Sequence, residues 1–285
     1  MKYFFTIGIT LALLSGNSAF AAMHFQPEAK QRQGMTQQAP KAHSPKEKPK
    51  KHSGMQRKKP GILLMEGTGA SVTLIRPDGV ILPLEPNEGK FAIPKTGLDN
   101  YHALVAEKTT GNVIESAIRY VSLRGKPSGH SPSELTAQQK ASFEIVPAPL
   151  PREHWHYTSG KNAVFTLRLL NEPIAGAMVF LTTANGTTVD TITDSNGKFA
   201  FQLPEDFEKI IPGRRKNAPV EFRIEAEVEK DGKQYFSSLS DKYYVNPNHW
   251  QSFQGGLLVM ALGMGVGLFF TFKNHKTASR KGKKS

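Results

Sequence analysis

AVFTLRLLNEPIAGAMVFLTTANGTTVDTITDSNGKFAFQL, residues 163–203, decides the fold. Ala163 to Leu170, Ala177 to Thr183 and Phe199 to Leu203 are short runs of apolar and alternating residues rich in Val, Phe, Leu and Thr. Asn185-Gly186 and Ser195-Asn196-Gly197 separate them with residues that supply turns. Alternation at period two puts every second side chain on one face, so these runs read as β-strands with one buried side.

The same pattern continues in both directions. Downstream, Val220 to Glu229 and Gln234 to Ser240 form a hairpin through Asp231-Gly232, a dipeptide that tolerates two successive positive φ angles. Upstream, Phe143-Glu144-Ile145-Val146 reads as a further strand. Before it, Arg124 to Gln139 is polar and carries Gly125, Pro127, Gly129 and Pro132. Ahead of that break, Asn112 to Leu123 and Tyr101 to Glu107 read as strands, and Ser71 to Ile75 pairs with Val80 to Leu84 through Pro77-Asp78-Gly79. Strands at this spacing, with little helical period between them, predict a mainly β chain of one or two Ig-like sandwich modules. The expected division is an N-terminal β domain over 61–124, a linker over 125–142 and a β-sandwich over 143–246.

The ends of the chain are different. Met1 to Ala21 opens on Lys2, runs through a short apolar stretch and closes on Ala19-Phe20-Ala21, the three parts of a cleavable secretory signal. Residues 22–60 are rich in Lys, Gln, Pro and Ser without an aliphatic run, and read as a disordered basic linker. Phe253 to Phe272 is apolar except for Gln254 and long enough to cross a bilayer core of about 30 Å. Trp250 precedes it and six Lys or Arg follow it over 273–285, so the expected topology is a single transmembrane helix over 251–272 with a cytoplasmic tail. The expected location is a bacterial inner membrane with the bulk of the chain periplasmic. Gly263 and Gly267 form a small-xxx-small pair through which the helix would self-associate or dock on a transporter permease.

Charge supports this division. The formal net charge of +13 comes from the ends, +8 over 23–60 and +6 over 273–285, which leaves the folding body close to neutral. No nucleic-acid motif accompanies the basic residues, so nucleic acid is not an expected partner. Cysteine is absent, which removes disulfides, thiolate nucleophiles and thiolate-ligated metals together.

Leu170-Asn171-Glu172-Pro173-Ile174-Ala175-Gly176-Ala177-Met178-Val179, followed by Thr193-Asp194-Ser195-Asn196-Gly197-Lys198-Phe199-Ala200-Phe201, resembles the signature of carboxypeptidase-regulatory-like β-sandwiches. Phe143 to Pro147 and Gly160 are similar to the entry of this module in a bacterial periplasmic family associated with nickel uptake. Ala22-Met23-His24-Phe25 echoes that family's mature N-terminus without its Trp. The resemblance implies a sandwich in which Thr-Asp-x-x-Gly closes a hairpin, and a role beside divalent-metal uptake.

Two groups of residues carry chemistry. With the signal removed after Ala21, the α-amine of Ala22, the amides of Met23 and His24 and the His24 imidazole offer four nitrogens in the planar arrangement that Ni(II) and Cu(II) prefer. His154 and His156 place two imidazoles one residue apart, a pair that would need His102, His130 or Glu153 to complete a site for Ni(II), Co(II) or Cu(II). No nucleophile-and-base spacing, paired-carboxylate constellation or phosphate-binding loop is present, so the chain is read as a non-enzyme. Two functions remain open: an anchored accessory to nickel or cobalt uptake, and a structural or adhesive envelope module that binds a protein or glycan.

Overall fold

The computed structural model describes residues 22–28, 61–87, 89–151, 156–213, 216–251 and 253–281, with the side chains of the last helix described over 255–271. The signal segment 1–21, linker residues 29–60, His154 and residues 282–285 lie outside the described residues.

The described strands in chain order are β1 (His24–Pro27), β2 (Ile62–Met65), β3 (Ser71–Ile75), β4 (Ile81–Pro83), β5 (Lys90–Phe91), β6 (Leu98–Thr110), β7 (Val113–Leu123) and β8 (Lys126–Pro127). Helix α1 (Pro132–Ala137) follows. Then come β9 (Phe143–Pro147), β10 (Tyr157–Thr158), β11 (Asn162–Leu169), β12 (Glu172–Pro173), β13 (Met178–Thr183), β14 (Thr188–Ile192), β15 (Lys198–Gln202), β16 (Val220–Lys230) and β17 (Lys233–Tyr244). A 3-10 turn at Pro247–His249 leads into helix α2 (Phe253–Lys281).

The central layer is one large sheet ordered β14-β13-β16-β17-β7-β6-β3-β4. A four-stranded sheet of β12, β11, β15 and β9 covers one face, and a three-stranded sheet of β1, β2 and β5 covers part of the other. Strand β6 shows why the middle layer is buried on both sides. Ala103 and Val105 face the core that includes Phe143, Phe165 and Leu167, whereas Leu104 and Ala106 face the core that includes Phe25, Ile62 and Leu74. A strand covered on both faces needs a continuous apolar run, and 102–106 is buried throughout.

Three expectations change here. The two β regions separated at 125–142 share one sheet, because β17 pairs in parallel with β7 from Gln234↔Val113 to Leu239↔Ile118, and they share one core. Residues 125–142 therefore do not divide separately cored modules. Ser131 and Glu134 form a capping box on α1, and Leu135, 1% exposed, is part of the shared core.

The second change concerns the basic linker. Its first residues are strand β1, with Met23 and Phe25 each 1% exposed in the second core. Register Pro27↔Ile62 and the Glu28 N–H to Gly61 carbonyl bond of 3.0 Å pair β1 with β2 up to Glu28 and Gly61.

The third is the Thr-Asp-x-x-Gly turn. Asp194 Oδ1 accepts from the amides of Asn196 and Lys198, both at 2.8 Å, as an Asx turn should. The turn joins β14 of the large sheet to β15 of the small one, so it carries the chain between layers instead of closing a hairpin. Gly197 has φ +68°, and a Cβ there would lie 2.7 Å from the Leu167 carbonyl oxygen. Only glycine lets the crossing chain approach β11 this closely.

Among the described residues no helix is long and apolar enough to cross a membrane. The described side chains of α2 span 255–271, about 26 Å of helix at 1.5 Å per residue. All of them are exposed, from Leu257 at 50% to Val259 at 69%, and Thr271 is the one hydroxyl among them, its Oγ1 donating to the Gly267 carbonyl at 2.8 Å.

Candidate functional site

Strand β1 brings His24 against the outer face of β16 and β17. Alternation along β16 sends Phe222, Ile224 and Ala226 into the core and Glu221, Arg223 and Glu225 to this outer side. Beside them Ser238 and Ser240 project from β17 in register with Glu225 and Arg223. Glu221, Arg223 and Ser240, together with Thr182 to Ala184 at the end of β13, line a cleft of about 160 Å3 with His24 at its rim.

The cleft is charged and heavily cross-linked. Arg119 of β7 reaches across β17 to Glu221 with two bonds of 2.7 and 3.2 Å, the bidentate fork that favours arginine over lysine. Arg223 lies 3.0 Å from Glu225. Its Nη1 is 3.1 Å from Nδ1 and 3.2 Å from Nε2 of His24, so the guanidinium sits against the imidazole. His24 Nδ1 donates to the Ala22 carbonyl at 2.8 Å, and the Ser238 hydroxyl donates to the Met23 carbonyl. Burial lowers the His24 pKa below its ordinary value; the Ala22 carbonyl partly offsets this and Arg223 adds to it. The imidazole is therefore held neutral at physiological pH. On the opposite face of β17, burial raises the Asp241 carboxyl to about 6, with Arg119 pulling it back.

This geometry works against the planar four-nitrogen site expected at Ala22-Met23-His24. The imidazole nitrogen nearest the backbone carries a proton directed at Ala22, and a fixed cation rests on the ring. Ala22 and Met23 are themselves buried. His156 lies in another part of the molecule, its ring 4.6 Å from that of Tyr244 and its carbonyl accepting from Thr158. His102 is buried between Thr96 and the Asn100 carbonyl, and His130 pairs with Glu134 at 2.8 Å. Among the described residues no group of three or more His, Asp or Glu is placed to hold a metal ion.

A second concavity, of about 390 Å3, lies between β14 and β15. Among the described residues each is the last strand of its sheet: β14 pairs only with β13, and β15 only with β11. The Thr193 to Ala177 and Thr183 to Thr187 bonds place the ladder of β14 on its odd-numbered residues, so the N–H and C=O groups of Thr188, Asp190 and Ile192 point outward. By the same argument the Leu203 to Lys161 and Leu167 to Gly197 bonds leave Ala200 and Gln202 outward on β15, while both backbone groups of Lys198 are taken by Asp194. The slot is thus walled by outward-facing backbone groups of Thr188, Asp190 and Ile192 on one side and of Ala200 and Gln202 on the other.

Sequence reading found His24 but not Arg223, Glu221 and Arg119 around it. The signal available was the charged alternation Glu221-x-Arg223-x-Glu225, which marks one polar face of a strand. The slot had no sequence signal, because it depends on which strands end each sheet.

No protein-family model matches the chain, and no curated protein matches it. Among solved structures it is similar to a calcium-stabilised adhesin of an Antarctic bacterium that binds ice, at 12% identity over 66% of this chain and 43% of that one, TM-score 0.25. It is also similar to the D00-D0 domain of intimin, at 12% identity over 64% of this chain and 89% of that one, TM-score 0.22. A Salmonella alpha-2-macroglobulin variant matches at 11% identity over 66% of this chain and 13% of that one, TM-score 0.24. Superpositions this loose carry no argument, and the mainly β, sandwich-like fold rests on the strand pairing itself.

Proposed function

We propose that this chain is a membrane-anchored envelope module whose β-sandwich binds a protein partner outside the cytoplasm. The observation that carries it is α2: the stretch 255–271 is apolar on every side, every described side chain is exposed, and it follows the last strand of the sandwich after a short turn. A helix apolar all round is stable where something apolar surrounds it, and the full run Phe253 to Phe272 has the length of a bilayer core. The cationic residues after it orient the tail inward.

A reporter active only in the cytoplasm should work when fused after Ser285 and stay silent when fused after Asn246. The reverse pattern overturns the anchor and its orientation.

The slot between β14 and β15 supports the choice of a protein partner. An extended segment laid in it would satisfy the outward backbone groups of either strand, the mode by which sheet edges recruit peptides. A photo-crosslinking residue at Gln202 in intact cells should give a discrete protein adduct, and Asp190→Pro, which deletes one outward N–H from an edge position that tolerates proline, should remove most of it. A crosslinking pattern unchanged by Asp190→Pro argues against strand addition.

The alternative, an accessory to nickel or cobalt uptake, needs Ala22 to His24 to leave the core, break the Ser238 and Ala22 contacts and move away from Arg223. The placement of those residues favours the adhesive reading.

A further inference from the structure

We propose that the loop between β15 and β16 is a foot that rests on the lipid surface beside α2, an inference that rests on the reading of α2 as a membrane anchor. The root of this loop is tied to the end of the molecule from which α2 leaves. Asp206 accepts from Thr183 Oγ1 at 2.6 Å and from the Tyr243 hydroxyl at the end of β17. Glu205 lies 3.4 Å from His249 in the 3-10 turn that leads into the helix. Phe207 packs edge-on against Tyr243, ring centroids 5.4 Å apart.

The tip is pinned as well. The side-chain amide of Asn217 accepts from the Ile211 N–H at 2.8 Å and donates to the Ile211 carbonyl at 2.7 Å, in the manner of a neighbouring strand. With its backbone satisfied, Ile211 still presents its side chain to the outside at 40% exposure. Pro212 beside it is exposed and has no N–H to satisfy, and exposed Lys209 and Lys216 flank the pair.

An apolar pair held out by a clasped backbone, with ammonium groups on both sides, matches the layered chemistry of a membrane interface: hydrocarbon below, phosphate above. Position selects lipid as the occupant. The antiparallel β16–β17 hairpin puts this loop at the α2 end, whereas its Asp231-Gly232 turn lies about 36 Å away along eleven residues of strand. Anionic headgroups supply the complementary charge.

The chain has no cysteine, so single environment-sensitive labels can be placed on the full-length protein. The proteins carrying Ile211→Cys, Lys230→Cys or Leu262→Cys would be reconstituted in phosphatidylcholine vesicles with and without phosphatidylglycerol. Nitroxides on headgroups should quench the label at 211 several-fold more than the one at 230, and nitroxides on acyl chains should quench the label at 262. Adding Lys209→Glu and Lys216→Glu should reduce quenching at 211 in the anionic vesicles and leave 262 unchanged. A label at 262 within the bilayer with 211 as exposed as 230 overturns the foot and leaves the anchor standing. A label at 262 in water overturns both.

Discussion

Replacing Glu144 by Gln is expected to lower the unfolding free energy by about 3–5 kcal/mol, the usual cost of stripping the counter-ion from a buried ion pair. Glu144 is fully buried in β9, where Oε1 accepts from Arg168 Nη2 at 2.7 Å and Oε2 lies 3.3 Å from Lys140 Nζ. Lys140 also donates to the carbonyls of Leu135 and Gln138, at 3.2 and 2.5 Å, which closes the C-terminal end of α1. Burial pushes its ammonium from 10.5 down to about 8; Glu144 opposes that shift and Arg168 adds to it. Without the carboxylate, two cations share a dry site.

The pH dependence has a definite sign. Between about 8 and 10.5 the unfolded chain holds a proton that folded Lys140 has released, so stability rises with pH across that window. Below it the full cost of burying the charge is present. Glu144→Gln removes the group that holds the Lys140 pKa up, so the window extends downward, and the variant should regain stability between pH 7 and 9 more steeply than the wild type. Adding Lys140→Met should recover most of the loss. Urea midpoints for the three proteins at both pH values provide the check; an equal loss at both, with no recovery in the double variant, would reject the ion-pair account.

Phe25→Ala should cost a similar 3–5 kcal/mol through the cavity it leaves. Phe25 is 1% exposed between the outer three-stranded sheet and the central one, in the core that holds Leu74, Leu104 and Ala117. Because β1 is held by four residue pairs to β2, the variant should also release the N-terminal strand, seen as faster proteolysis near residue 28. Exposed Gln26 on the same strand provides the control, where Ala should change stability by less than about 0.5 kcal/mol. Equal effects at the two positions would mean that β1 does not contribute to the core.

Most of the β architecture was legible because period-two runs and turn residues report local geometry. Ser71 to Ile75, Phe143 to Val146 and the Asp231-Gly232 hairpin all lie where their alternation and turn chemistry place them. What escaped was set by distant partners. Strand β1 is four residues long and heads a lysine-rich stretch, so composition spoke for the neighbours and hid Met23 and Phe25. β14 reads Thr-Val-Asp-Thr-Ile, half polar because it ends its sheet, and α1 is too short to show a helical period. The pairing of β17 with β7 joins residues more than a hundred positions apart, and local propensity does not reach that far. The charged cleft follows from the same cause, since Arg119 and Glu221 meet only once β17 lies between their strands.

That central position of β17 has a consequence for how the chain comes into being. Chains emerge from the ribosome N-terminus first, and β17 is the last of the described strands to appear, yet it separates β7 from β16 in the sheet. Until residue 244 is available, β7 presents a bare edge and the shared core lacks Tyr235, Leu239 and Tyr243. The early region thus waits, with its apolar faces open, for β17, a non-local closure that makes folding slow and leaves the partial chain prone to aggregate. The helix that follows is made only after that strand, so closure of the sandwich and the emergence of α2 come as neighbouring events in synthesis.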